Sequence, residues 1–303
     1  MTETTDSPHP GYWTETRRAH AAMLLFATLI SSSFTVGGLI AKSIDPVALT
    51  FWRFVLAVAI FLAIVLATEK FRLPTPGQLG RFAFIGLLLC IYFVLMFEAL
   101  RWTDPLSTGA VFTLIPAMTA VFSLIVLGQK TSRRQVVAML IAGGGAVWVL
   151  FRADFQALMR FSVGYGEIVF FAGCIAYAAY PVFVRRLHTG ESTAALTLWS
   201  LATGAVLLAV YGWRAILGTD WANLSAGVYL GILHLAVVST AISFFLIKYA
   251  SLRLPGAKVM AYTFLIPALV AVLEGLIGHG WPGPNVIAGV VVTALALAVI
   301  ETG

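Results

Sequence analysis

The chain has 303 residues, of which 60% are apolar and 11% charged, and its mean hydropathy is strongly positive. Soluble domains carry about a quarter charged residues, so this composition excludes a water-soluble fold. The net charge of +6 comes largely from Lys and Arg in short loops between apolar runs, which reads as a topology signal and not as a nucleic-acid surface.

Residues 1–18 are polar and carry Pro8, Pro10 and Gly11, which predicts a short disordered cytoplasmic tail. From Ala19 onward, apolar runs recur that are long enough to cross a hydrocarbon core about 30 Å thick at about 1.5 Å per residue. The first run is longer than a signal-peptide core and is read as a span. Spans are predicted at 19–41, 47–68, 79–100, 106–127, 134–150, 164–187, 192–212, 226–251, 257–278 and 284–301. The expected fold is an all-α integral membrane protein of ten transmembrane helices, with connections too short to hold a soluble domain. With the N-terminus inside, twelve Lys and Arg near span ends, among them Arg17, Arg18, Arg81, Lys130 and Lys258, face the cytoplasm, against Lys42, Arg101, Arg152, Arg160 and Arg214 outside. This bias predicts a multi-pass protein of a bacterial-type inner membrane with both termini cytoplasmic.

The chain also repeats itself. Ala48-Leu49-Thr50-Phe51-Trp52-Arg53 recurs as Ala195-Leu196-Thr197-Leu198-Trp199-Ser200. Leu114-Ile115-Pro116-Ala117 recurs as Leu265-Ile266-Pro267-Ala268, and Ile141-Ala142-Gly143 as Ile287-Ala288-Gly289, in the same order. The chain therefore reads as one five-helix unit written twice, over 19–150 and 164–301. An odd number of spans per unit inserts the second copy upside down. Transporters use such inverted repeats to open a central site to each side in turn.

These motifs resemble the EamA family of the drug/metabolite transporter superfamily. The resemblance rests on Ile30-Ser31-Ser32-Ser33-Phe34, on Asp45-Pro46 through Phe51-Trp52-Arg53-Phe54, and on Glu98-Ala99-Leu100-Arg101. It continues through Leu127-Gly128-Gln129-Lys130-Thr131 and, in the second half, Tyr249-Ala250-Ser251-Leu252-Arg253 and Leu265-Ile266-Pro267-Ala268. Gln129 stands where the family usually has Glu, and Gly278-His279-Gly280 departs from the family pattern. The resemblance implies a ten-helix basket whose substrate cavity is lined by spans one to four and six to nine. It also implies export of amino acids and related metabolites.

Pro116 and Pro267 fall near the middle of their spans, where each removes an amide donor and frees the carbonyl four residues back, on Phe112 or Thr263. They are expected to act as paired hinges about a midplane site, the alternative being kinks that serve packing alone. Arg53 lies about seven residues into span two, roughly 10 Å deep, where a lone cation costs about 2.5–3.5 kcal/mol on insertion scales. Its expected partner is Glu98 or a substrate carboxylate, against snorkelling to the interface or binding helix-end carbonyls. Glu98 precedes Arg101 by three residues, so a local ion pair explains it equally well.

Glu274, seven residues after Pro267 and with no basic residue close in sequence, is the better candidate proton carrier. His234 within span eight titrates near neutrality and is a candidate to accept a proton or bind a carboxylate, against a helix-to-helix hydrogen bond. Phe34, Trp52, Tyr92, Phe112, Tyr177, Tyr180, Trp199 and Tyr262 are candidates to line an amphipathic cavity, against plain packing. The Gly143-Gly144-Gly145 run and its counterpart around Ala288 and Gly289 predict close helix approach. A homodimer through these outer spans is compatible with the sequence but not derivable from it.

No GxxxxGK followed by Ser or Thr occurs, nor any HExxH, GxSxG or intramembrane Asp pair. An ATP-driven pump and an enzyme are therefore not expected, and no cofactor is implied. Cys90 and Cys174 stand alone in apolar runs and read as packing residues, with no metal expected. The expected partners are a small-molecule substrate and membrane lipids, without nucleic acid. The sequence thus predicts a secondary transporter that exports an amino acid or related polar solute by alternating access. The alternatives are an exporter of lipophilic cationic drugs, which usually relies on a buried acid without a buried base, and a non-transporting receptor or scaffold.

Overall fold

Polar caps set where several helices begin. Asp45 accepts from the Val47 and Ala48 amides around Pro46, Asp104 accepts from the Ser107 amide behind Pro105, and Thr75–Gln78 and Ser132–Gln135 close capping boxes. Each satisfies backbone amides at the point where the chain turns into an apolar run. The computed structural model describes residues 10–151, 154–159, 163–251, 253–254 and 256–301. The tail over 1–9 and the loop cations Arg152 and Arg160 lie outside the described residues, as does the Lys258 side chain.

The helices are α1 (Pro10–Ile40), α2 (Pro46–Thr68), α3 (Pro76–Ala99), α4 (Pro105–Phe112), α5 (Ile115–Leu127), α6 (Arg133–Leu150) and the short α7 (Phe155–Met159). They continue as α8 (Tyr165–Leu187), α9 (Thr193–Gly218), α10 (Ala226–Ala236), α11 (Ser243–Ser251), α12 (Gly256–Ala261), α13 (Ile266–Leu276) and α14 (Pro284–Glu301). Among the described residues there is no strand, and eight stretches are long and apolar enough to cross a membrane. In that set α4 with α5 forms one stretch, and so do Ala226–Ile247 and Val259–Leu276. α14 is apolar but shorter over its described side chains, Pro284–Ala296, and α6, which opens on Arg133 and Arg134, is not among the eight.

The structure departs from the sequence reading in two respects. α1 is already helical at Pro10, so residues 10–18 are not an unstructured tail, and Glu15 reaches Arg253 at 3.4 Å. Three of the predicted spans are broken. α4 stops at Phe112 and the chain restarts as α5 at Ile115; α10 passes through a π-helical turn, Val237–Ile242, into α11; and α12 passes through a 3-10 turn, Tyr262–Leu265, into α13. Pro116 and Pro267 are the second residues of α5 and α13. They therefore do not kink a continuous helix from its middle. Each sits in a first turn, where the missing amide has no helical partner to lose, and the break lies just before it.

The helices pack in pairs that join early and late parts of the chain: α2 on α9, α3 on α8, α6 on α14, α4 on α13, and α1 on α10, α11 and α13. The α6–α14 pair depends on Gly145. A Cβ there would lie 2.5 Å from Thr293 Oγ1 and 2.8 Å from the Gly289 carbonyl, so only hydrogen lets the backbones approach this closely. Of the three successive glycines, Gly145 is the one held in this tight contact, while Gly144 meets nothing nearby.

At the other end of the molecule a charged clamp ties α3 to the α8–α9 connection. Arg81 donates to the Leu187 carbonyl and the Thr189 hydroxyl, each at 2.7 Å, and to Glu191 Oε1 at 3.1 Å. Partial burial opposes ionisation of Glu191, but the Thr189 hydroxyl and amide, its own amide and Arg81 outweigh that and hold the carboxyl down at about 2.

Replacing Gly145 by Leu should force α6 from α14 at a cost of about 1–3 kcal/mol or more, read as a lower melting temperature in detergent. Because the Glu191 carboxyl is depressed in the folded state, the clamp stabilises the fold above the ordinary carboxylate range, and this contribution is lost as pH falls through about 2. The stability gap between the wild type and Glu191→Gln should accordingly be full at neutral pH and shrink on acidification; a gap independent of pH would contradict the clamp.

Candidate functional site

Arg53 enters the bundle from α2 and is fully buried, with 0% of its surface exposed. Its Nε donates to Thr240 Oγ1 at 2.7 Å and its Nη2 to the Ser239 carbonyl at 3.3 Å. Both partners lie in the π-helical turn, where the wider winding leaves carbonyls without their usual helical amides. The neighbouring carbonyls are covered locally: Thr240 Oγ1 donates to the Leu235 carbonyl at 2.9 Å and Ser243 Oγ to that of Val238 at 3.1 Å. The guanidinium carbon stands 3.9 Å from the centre of the Phe93 ring and 5.8 Å from that of Phe97, a cation–π arrangement. Nη1 is buried and has no hydrogen-bond partner, and among the described residues no carboxylate pairs with this arginine.

An aromatic cluster packs beside it. Tyr92 of α3 and Tyr177 of α8 have ring centres 4.3 Å apart, and the Tyr92 ring centre lies 4.7 Å from that of Phe93, over which the Arg53 guanidinium sits. Phe34 of α1 meets Phe112 of α4 and Phe170 of α8 edge-on at 5.4 and 5.8 Å, and Tyr180 stacks on Tyr177 at 6.0 Å. Two cavities lie at the two ends of α3. One, about 590 Å³, is bordered by Thr35, Lys42, Arg101, Asp104, Glu167 and His279. The other, about 610 Å³, is bordered by Lys70, Arg72, Gln78, Phe82, Glu191 and Trp199. Tyr92 and the Arg53 contact with Phe93 fall along α3 between Phe82 and Arg101.

The other candidates are distributed around this centre. His234 Nε2 lies 2.9 Å from Ser32 Oγ, which is also 2.7 Å from the Leu29 carbonyl, and this hydrogen bond links α10 to α1. Glu98 does not reach Arg53. It pairs with Arg101 at 3.1 Å and accepts from Trp102 Nε1 at 2.8 Å near the surface. Glu274 has a basic partner that the sequence reading missed: Gly278, at φ 88°, turns the chain so that His279 Nδ1 comes 2.8 Å from Glu274 Oε2. Its Oε1 is buried without a partner.

Of the aromatic candidates, Phe34, Tyr92, Phe112, Tyr177 and Tyr180 meet in the central cluster. Trp52 does not join them. It is 37% exposed and packs edge-on against Phe51 and Trp221, because residues 52 and 53 point to different sides of α2. Trp199 borders the second cavity and packs on Phe71, and the Tyr262 hydroxyl lies 2.6 Å from His20 Nδ1. Sequence reasoning missed Ser239, Thr240, Phe93 and Phe170. The one available signal was a pair of adjacent small hydroxyl residues, Ser239 and Thr240, midway along an otherwise apolar run.

The chain matches the EamA-like transporter family over residues 17–151 and 164–302. Among curated proteins it is 23% identical to the uncharacterized transporter YyaM of Bacillus subtilis (strain 168), covering 84% of this chain and 85% of that one. It is also 23% identical to the uncharacterized inner membrane transporter YhbE of Escherichia coli (strain K12), covering 80% of this chain and 76% of that one. A solved crystal structure shares the fold with a TM-score of 0.69 at 21% identity, over 95% of this chain and 96% of that chain. Two matched segments that together take in nearly all the apolar helices make this chain a member of the EamA-like transporter family.

Proposed function

We propose that this chain is a secondary transporter of a bacterial-type inner membrane that exports a small carboxylate-bearing metabolite, an amino acid or a related polar solute, by alternating access. The observation that carries the reading is Arg53: a guanidinium at 0% exposure, between the two cavities, with one nitrogen unpartnered and no protein carboxylate beside it. A buried cation without a counter-charge is costly unless it has a task, and binding a solute carboxylate is the task this geometry fits.

The helix pairings support ten spans arranged as two inverted repeats over 19–150 and 164–301. If the spans of the two halves correspond in order, α2–α9, α6–α14 and α4–α13 each pair counterparts, while α1–α10 and α3–α8 exchange with one another. A two-fold axis in the membrane plane produces that pattern. The loop charges support cytoplasmic termini, and the description of YhbE as an inner membrane transporter supports the location. Export of lipophilic cations fits less well, since a fixed buried cation repels them. A scaffold would need no inward-facing charge.

Purified protein in liposomes should take up one class of labelled carboxylate solute saturably from a panel of amino acids and metabolites. Arg53→Ala should reduce that uptake by roughly 10- to 100-fold, the effect of losing about 1.5–3 kcal/mol of charge-assisted hydrogen bonding. Running the assay with and without a pH gradient, beside Glu274→Gln, tests whether the Glu274–His279 pair couples protons. No uptake across the panel by folded protein would refute the transport reading.

A further inference from the structure

We infer that the central site selects a monocarboxylate with an apolar body and no ammonium group, such as a 2-oxo acid, over the corresponding zwitterionic amino acid; this rests on the transport reading above and narrows it. Three observations carry the inference. The first is the charge at the centre. Arg53 presents one unpartnered donor, Nη1, beside two hydrogen bonds already made to Thr240 and Ser239. That is a complement for one negative group.

The second is that, among the described residues, no carboxylate pairs with Arg53 or stands ready beside it for a cation. The helix acids have partners elsewhere: Glu98 with Arg101, Glu167 with the Thr103 hydroxyl, and Glu274, through one of its two oxygens, with His279. Backbone carbonyls at helix breaks are the usual alternative acceptors for an ammonium, and here hydroxyls engage several of them. Thr113 Oγ1 donates to the Ala110 carbonyl and Thr263 Oγ1 to that of Met260, each at 2.7 Å, just as Thr240 and Ser243 cover the π-helical turn. The Ser239 carbonyl of that turn already accepts from Arg53. An α-ammonium sits on the carbon next to the carboxylate, so a carboxylate bound to Arg53 would hold it close to a like charge in a low-dielectric interior.

The third is the wall. Phe34, Tyr92, Phe112, Phe170 and Tyr177 are each buried and in mutual ring contact. Such a surface accepts an apolar or aromatic body, while the Arg53 guanidinium already occupies the Phe93 face, a site for a cation. The hydroxyls of Tyr92 and Tyr177 are available to a keto or carboxylate oxygen.

The test compares phenylpyruvate, phenylalanine and phenethylamine as competitors of labelled phenylpyruvate uptake in liposomes holding the full chain, with thermal stabilisation of the detergent-purified protein as a second readout. The expected result is that phenylpyruvate binds at least ~10-fold more tightly than phenylalanine, with phenethylamine weakest, the scale of one charge mismatch. Arg53→Lys, which keeps the charge but loses the fork, should weaken phenylpyruvate more than phenylalanine, and Tyr177→Phe should reduce the preference for the keto acid. Phenylalanine or phenethylamine binding as tightly as phenylpyruvate would overturn this inference and leave the transporter reading intact. If folded protein binds none of the three and takes up no other carboxylate, the transporter reading fails and the inference with it.

Discussion

Burying the Arg53 guanidinium away from water and from any carboxylate sets the terms for the helices around it. A cation near the centre of a span costs about 2.5–3.5 kcal/mol on insertion scales. Hydrogen bonds to a charged group return about 1.5–3 kcal/mol each, and a desolvated cation–π contact about 2. The Thr240 and Ser239 bonds and the Phe93 face therefore offset the cost, but only while the π-helical turn stays where it is. Arg53 comes from the first half of the chain and the turn from the second, so the charge ties the halves together. Any motion that separates them strips the guanidinium of its partners and makes a solute anion or water the replacement.

That coupling explains why the broken helices cluster near the centre. A continuous helix bends little and has no spare carbonyls, whereas the interruptions at Thr113–Leu114, Val237–Ile242 and Tyr262–Leu265 give short rigid segments joined by pliable turns. Pro116 and Pro267 define where the second segment of each broken span starts. The aromatic cluster packs beside these breaks, with the Tyr92 and Tyr177 rings 4.3 Å apart. The Gly145 contact between α6 and α14, by contrast, has backbone against backbone and no room to slide, so that pair is suited to remain fixed while the inner helices rearrange.

Much of the helix layout is legible in the sequence because it is written in local chemistry. Asp45-Pro46, Thr75 to Gln78, Asp104-Pro105 and Ser132 to Gln135 announce helix starts, and the structure begins α2, α3, α4 and α6 there. Where contacts are made by distant segments, the sequence is silent. Arg53 is recognisable as an anomaly, but its partner depends on a π-helical turn 186 residues away, whose widened winding has no compositional signature beyond Ser239 and Thr240. Glu274 reads as unpaired in the sequence because His279 is reached only through a left-handed turn at Gly278. Trp52 shares a motif with Arg53, yet adjacent helix positions point apart, and the helices packed on α2 decide which of them faces inward.

The central claim is that the contact between Arg53 and the π-helical turn lies on the solute path and opens to each side in turn. Ser239→Cys tests this directly, since it keeps the backbone carbonyl that Arg53 uses and places a thiol at a position now 1% exposed. In a background with Cys90→Ser and Cys174→Ser, membrane-impermeant thiol reagents would be applied from either face of oriented vesicles, with and without a transported carboxylate. Labelling from both faces that the carboxylate slows would agree with alternating access around Arg53. Labelling from one face only, or labelling that the carboxylate does not alter, would contradict it.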